Sequence, residues 1–264
     1  MSTGYLGPEG SYSQTAAEQF GMGEPKAYPS FYALFAALGR GEVSGIVLPV
    51  ENSLNGGVMR NLDLLQEAEG IIAVRELNLK IDHRLVTLKG ADLSKIDTIY
   101  SHPQALGQCA KYIEEHFPNA RTVPAPSTSA CLGMIKSPSD AGITGSRKVD
   151  ERFELSNDSI SDYPENYTQF LYVVKGTADG VKSSRKIFLS VTCAHKPGAL
   201  VSALSVFAGE GINLTRIESR PIKTRLGEYV FFIEVTADYA SPKTRSVLCS
   251  LRDICSSIKI LGCY

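Results

Sequence analysis

The chain has 264 residues, 43% of them hydrophobic, enough to bury a sizeable core and to build one large or two ordinary domains. Its 27 basic and 28 acidic residues leave a net charge of −1, so no surface suited to nucleic acid or another polyanion is advertised. The start runs straight into a strand pattern without a signal or transit peptide, and no apolar run reaches the roughly 18 residues of a membrane span, so a cytoplasmic location is expected. The six cysteines form no C-x-x-C pair and no cluster with the four histidines, which reads as reduced core thiols and no metal site.

In chain order, Tyr5-Leu6 reads as a short strand that breaks at Gly7-Pro8-Glu9-Gly10, and Ser11-Tyr12-Ser13 then opens a helix over 14–20. A glycine-rich turn feeding a serine-capped helix leaves backbone N–H groups free and aims the positive end of the dipole at whatever binds. Ser11 and Ser13 are therefore candidate anion contacts, or simply caps. Neither G-x-G-x-x-G nor the lysine of a P-loop is present, which excludes a nucleotide loop here. A second amphipathic helix covers 31–38, and a buried strand over 45–50 ends in Glu51-Asn52-Ser53. A strand's C-terminal tip is the usual place for ligand groups in open α/β sheets, although these three residues also suit a cap and turn. The helix predicted from about residue 58, after Asn55-Gly56-Gly57, would bring a second N-terminus to the same place.

A long extended run over 71–80, resumed over 83–87, can carry the chain into another lobe. The α/β pattern then repeats: strand 96–100, the turn Ser101-His102-Pro103-Gln104, helix 105–117, strand 121–123, a Ser127-Thr128-Ser129 cap, helix 130–135, and strand 141–143 running into Gly145-Ser146. Thr128 and Ser101 again place polar groups at strand ends, and His102 is either a general acid or a structural residue of its turn. The segment 156–165 returns to Thr168-Gln169-Phe170, at the mouth of an apolar strand. A threonine at a strand start has a fixed backbone and a stiff β-branched side chain, which holds its hydroxyl in one geometry. Lobe one, lobe two, then back is the order that a two-lobed binding unit with a central cleft requires.

Residues 177–185 read as a linker by composition. Beyond them come strand 187–193, helix 198–209, strands 212–219 and 229–236, helix 241–253 and strand 258–261, a ferredoxin-like βαββαβ sandwich. Lys196-Pro197-Gly198-Ala199-Leu200 starts its first helix with exposed N–H groups. Glu218-Ser219-Arg220-Pro221 ends the next strand, where Arg220 could equally pair with Glu218.

Taken in order, Gly7-Pro8-x-Gly10-Ser11-Tyr12-Ser13, Pro49-Val50-Glu51-Asn52-Ser53, Ser101-His102-Pro103-Gln104-Ala105, Asn166-x-Thr168-x-Phe170, Gly198-Ala199-Leu200 and Glu218-Ser219-Arg220-Pro221 resemble the prephenate dehydratase family with its C-terminal ACT domain. The resemblance covers nearly the whole chain. It implies a periplasmic-binding-protein-like catalytic domain over 1–176, with lobe one at about 1–80 and 156–176 and lobe two at about 81–155. A linker over 177–185 and an ACT domain over 186–264 complete the implied layout. The implied activity is decarboxylating dehydration of prephenate to phenylpyruvate, with no metal or organic cofactor.

The same resemblance implies Thr168 as the catalytic group. Implied substrate contacts are Ser11, Ser13, Glu51, Asn52, Ser53, Ser101, His102, Thr128, Gln169 and Phe170. Gly198, Ala199, Leu200, Glu218, Ser219 and Arg220 would bind inhibitory L-phenylalanine between the subunits of a homodimer or homotetramer, because an ACT sandwich leaves an edge and a sheet face for a second copy to cover. With no chorismate mutase helices ahead of the first strand, a monofunctional enzyme is expected. The family motif is Thr-Arg-Phe, and Gln169 stands where its arginine belongs; a carboxamide keeps hydrogen bonding but loses the charge and the fork. An arogenate dehydratase, which would need a counter-charge for the substrate's ammonium that Glu51 or Asp162 could be mistaken for, and a non-catalytic amino-acid-sensing protein are the alternatives.

Overall fold

A computed structural model describes residues 1–145, 149–222 and 228–264; Ser146 lies outside the described residues. Lobe one contains β1 (Ser2–Leu6), α1 (Tyr12–Phe20), β2 (Glu24–Tyr28), α2 (Phe31–Arg40), β3 (Gly45–Asn52), β4 (Gly56–Gly57), α3 (Met59–Glu67) and β5 (Ile71–Lys80). Ser11 caps α1, its Oγ accepting the Gln14 N–H at 3.4 Å, and the helix stops at Gly21, whose φ of 62° suits glycine. β3 is buried on both faces at Ile46, Val47 and Leu48, as a strand covered on two sides must be.

Lobe two supplies β6 (Arg84–Leu88), β7 (Thr98–Ser101), α4 (Pro103–Gln108), α5 (Ala110–His116), β8 (Arg121–Pro124), β9 (Asp140–Thr144) and β10 (Phe153–Leu155), in a five-stranded sheet ordered β10-β6-β9-β7-β8. Two expectations change here. The helix over 105–117 is two helices, broken where Cys109 takes a non-helical backbone (φ −124°, ψ 19°). The helix over 130–135 is only a 3-10 turn, Ala130–Gly133, because a short run holding Gly133 and ending at Ser137-Pro138 cannot repay helix nucleation.

β11 (Tyr167–Lys175) returns to lobe one and lies antiparallel between β3 and β5, with Thr168 opposite Asn52 on one side and Leu79 on the other. The remaining elements are β12 (Ile187–Cys193), α6 (Ala199–Gly209), β13 (Leu214–Pro221), β14 (Tyr229–Val235), α7 (Pro242–Ile254) and β15 (Cys255–Cys263), with strand order β13-β14-β12-β15. The two helices cover one face, where Leu189, Val191 and Ile233 pack with Phe207, Val247 and Leu251.

The other face, expected to await a second copy, is covered within the chain. Phe188, Val230, Phe232 and Leu261 enter the same apolar core as Leu34, Leu48, Leu62 and Leu171 of lobe one. β15 also pairs with β5, Gly262 opposite Ala73, so both units share one ten-stranded sheet. The physical reason is the apolar character of that face, which burial against lobe one removes from water. Residues 177–185 are docked as well: Ala178 is buried, and the Ser184 N–H donates to Asp238 at 2.9 Å.

A core shared in this way should unfold as one. Phe232→Ala should cost about 3 to 5 kcal/mol and shift a single urea transition of the whole chain. Two separate transitions, with the first unit's midpoint unmoved, would contradict the shared core.

Candidate active site

Between the lobes lies a cleft of about 530 Å³, lined by residues of both. Lobe one contributes the turn after β1, the start of α1 and the ends of β3 and β11. Lobe two contributes the start of α4 and the turn around Thr128. Tyr12 ties the lobes: its hydroxyl donates to the Asp82 carbonyl and accepts the Asp82 N–H at 2.8 Å. Gly145 must be glycine, because a Cβ there would stand 2.3 Å from the Tyr12 ring.

At the floor, Asn52 and Thr168 form one rigid group. The Asn52 Oδ1 accepts from the Leu54 and Asn55 backbone N–H groups at 3.2 and 3.1 Å, which fixes the carboxamide. Its Nδ2 then donates to Thr168 Oγ1 at 3.1 Å and to Asn166 Oδ1 at 2.7 Å. Asn166 Nδ2 donates to Gln108 Oε1 at 3.1 Å, and the same oxygen lies 2.8 Å from His83 Nε2. Because Thr168 Oγ1 accepts from Asn52, its own O–H proton is available to the cleft. Gln108 Nε2 and His83 Nδ1 are buried without a hydrogen-bond partner among the described residues, in side chains that belong to the cleft lining.

Ser11, Ser13, His102, Thr128 and Phe170 also line the cleft. His102 additionally caps α4, its Nδ1 accepting the Gln104 N–H at 3.3 Å. Four expected contacts lie elsewhere. Ser101 is fully buried and donates to the Ile143 carbonyl at 2.6 Å, a bond internal to lobe two. Ser53 Oγ accepts the Tyr167 N–H at 2.9 Å, closing the β3–β11 junction. Glu51 and Gln169 oppose each other on the far side of the sheet, because neighbouring residues on a strand point to opposite faces. Glu51 lies 3.6 Å from Arg216, and Gln169 Nε2 donates to Glu76 and Glu234 at 3.0 and 3.1 Å. Asp162 caps α5, accepting the Lys111 and Tyr112 N–H groups at 3.0 and 3.3 Å. The cleft lining thus holds no carboxylate, lysine or arginine among the described residues.

Sequence reasoning missed Gln108 and His83 as lining residues and Asn166 as the buried link between Asn52 and Gln108. Gln108 stands four residues after Gln104, one helical turn along the same face, and Asn166 shares the parity of Thr168. Both spacings were readable; His83 carried no such signal.

A second pocket of about 430 Å³ opens at the start of α6, lined by Lys196, Ala199, Leu200, Tyr229 and Phe231 among others. Gly198 is the N-cap there, with a φ of 79°. Glu218 and Arg220 point the other way: Arg220 grips Asp63 of α3 at 2.7 Å, and Glu218 lies beside Gly57. Ser219 opposes Phe231 and is the residue of that trio on the pocket's side of the sheet.

Fold and site together define a two-lobed cleft domain for a small polar ligand, joined to a βαββαβ sensor module. The prephenate dehydratase pattern matches residues 3–178 and the ACT domain pattern residues 187–252. The chain belongs to the prephenate dehydratase family. It is 35% identical over 274 residues to the prephenate dehydratase of Lactococcus lactis, spanning 100% of this chain and 97% of that one. The prephenate dehydratase of Arthrobacter aurescens, solved in complex with L-Phe, is 28% identical with a TM-score of 0.87, covering 99% of this chain and 89% of that one. GqqA, described as a novel type of quorum quenching acylase, is 26% identical with a TM-score of 0.87, covering 99% and 97%.

Burial pushes the His83 imidazole below its ordinary range, only partly opposed by the Gln108 hydrogen bond. The folded protein therefore resists a proton that the unfolded chain accepts. Stability is fully present above the unfolded imidazole's value of about 6.5 and falls as the pH drops below it toward the depressed folded value. The decline should reach at most about 1.4 kcal/mol per pH unit and should flatten in His83→Gln, as measured by urea unfolding at a series of pH values.

Proposed function

We propose that the protein is a cytoplasmic, homo-oligomeric enzyme that converts prephenate to phenylpyruvate and is inhibited by L-phenylalanine. The observation that carries this reading is the Thr168 hydroxyl, oriented by Asn52 in a cleft lined by neutral donors. Prephenate carries two carboxylates and a ring hydroxyl. The electron pair of the ring carbon–carboxylate bond moves into the ring as CO₂ leaves, and the carbon–oxygen bond opposite breaks as hydroxide departs, giving an aromatic product. The enzyme need only hold the ring and assist the departing oxygen.

The start of α1 offers backbone N–H groups and the Ser13 hydroxyl to a carboxylate, and Thr128 faces it from lobe two, while the Ser11 hydroxyl already donates to the Leu6 carbonyl at 3.3 Å. Thr168 meets the departing hydroxyl. Its proton is held far more tightly than that of a tyrosine at about 10, so it acts as a positioned hydrogen-bond donor to the leaving oxygen. Help of this kind is worth about 10² to 10⁴ in rate, roughly 3 to 5 kcal/mol. Among the described residues the lining holds no carboxylate, which disfavours arogenate, whose ammonium one would balance. An acylase reading is disfavoured too, since no serine of the lining bonds to His83 or His102 as a nucleophile does to its base.

For the effector, the free N–H groups of α6 and Lys196 suit the carboxylate of an amino acid, and Tyr229 and Phe231 suit an aromatic side chain. The outer strand β13, with Ile217 at 47% exposure, is the edge through which a second copy would add.

Purified protein given prephenate and arogenate separately should form phenylpyruvate from the first and little phenylalanine from the second. In Thr168→Ala, kcat should fall 10²-fold or more with KM within about threefold, as expected when a transition-state contact is removed; a variant within threefold of the parent in kcat would overturn the role. For the effector site, Ala199→Asp places a carboxylate where the ligand's own would sit, at a helix start that tolerates acid. Calorimetry should then detect no L-phenylalanine binding, and inhibition should vanish while uninhibited turnover persists.

A further inference from the structure

Behind the active site, on the face of the sheet turned away from the cleft, lies a cluster of polar groups, half-buried around the buried Glu234, that catalysis as described does not use. Gln169, the residue after Thr168, donates from Nε2 to Glu76 at 3.0 Å and to Glu234 at 3.1 Å. Glu234 belongs to β14 of the ACT sandwich and is 3% exposed. Its carboxylate also accepts the Thr215 hydroxyl at 2.7 Å and the Tyr264 hydroxyl at 2.5 Å, and Lys186 Nζ lies 3.1 Å away while bonding Glu76 at 2.8 Å. Against its burial, these bonds and the Lys186 charge keep the Glu234 carboxyl below its ordinary range, so it stays a charged acceptor.

The other strand of the site is held from the same side. Arg216 of β13 is 7% exposed and donates to the Val50 carbonyl at 2.8 Å, two residues before Asn52. The two catalytic-floor residues, Thr168 and Asn52, therefore each sit within two positions of a backbone or side chain gripped by the ACT sandwich. The grip falls where the pairing of β11 with β3 shifts register, between Gln169 and Phe170, while its pairing with β5 continues unshifted there. At such a shift the ladder alone fixes the strand less firmly.

We propose that Glu234 is a positioning residue for the reaction: through Gln169 it fixes the part of β11 that aims the Thr168 hydroxyl, so the ACT sandwich completes the catalytic strand from behind. This rests on reading Thr168 as the group that meets the substrate. A charged acceptor bonding one side of a strand restricts the residue pointing to the other, and a misplacement well under the length of a bond is felt in rate more than in binding.

The test uses the full chain. With saturating prephenate, Glu234→Ala should lower kcat at least tenfold while KM stays within about twofold. Glu234→Gln, which keeps an oxygen to accept from Gln169, should retain kcat within about threefold of the parent. Gln169→Ala should behave like Glu234→Ala, and the double variant should be no slower than the slower single variant, because both remove the same bond. Independently of turnover, amide hydrogen exchange of the peptide spanning 167–172 should quicken at least fivefold in Glu234→Ala. A Glu234→Ala variant that keeps parental kcat and parental exchange of this peptide, whatever its melting temperature, overturns the proposal. If the parent turns over neither substrate, the functional reading fails on its own, and the exchange experiment alone decides whether Glu234 fixes the strand. Should Glu234→Ala not fold, Gln169→Ala, at a partly exposed side chain, is judged by the same two criteria.

Discussion

A strand can address two environments at once only by alternation, and β11 depends on this. Thr168, Phe170 and Tyr172 face α1 and the cleft, while Gln169, Leu171 and Val173 face the core shared with the ACT sandwich. Placing Thr168 at the cleft floor obliges the next residue to face the other way, into a region where an unpaired polar group would be costly. Glu76 and Glu234 meet that requirement for Gln169. The departure from the family's arginine thus belongs to the junction between domains, where Lys186 already supplies a cation between the same two carboxylates.

The cleft itself is built without fixed charge among the described residues. Neutral donors and a helix start can hold an anion, yet they attract it less than a guanidinium fork would. The same fold carries GqqA, described as an acylase. Fold alone therefore decides little about chemistry, and the decision rests on which side chains reach the cleft.

Most of the architecture was readable in the residues. The serine-capped helix after Gly10, the long run over 71–80, the return at Thr168 and the βαββαβ pattern all reappear with small shifts of boundary. What failed was the step from motif to site. Glu51-Asn52-Ser53 and Thr168-Gln169-Phe170 are contiguous in sequence, but a pleated strand sends one member of each trio away from its neighbours. Ser101 looked like a ligand group because it ends a strand; its hydroxyl is instead consumed by the Ile143 carbonyl. The docking of the ACT face on lobe one was not readable either, since an apolar face announces burial but not the partner that buries it.

The pairing of Gly262 with Ala73 has a consequence for how the protein is made. Lobe one can pair its own strands once β11 is made, but its core stays open until β15 follows, about 90 residues after Lys175. At about 5 to 20 residues per second, that interval is on the order of 5 to 20 s. Over that interval Leu34, Leu48, Leu62 and Leu171 gain Phe188, Phe232 and Leu261, their partners in the finished core, one after another. Until the ACT sandwich arrives, the nascent chain carries that apolar surface uncovered, open to contact with other chains.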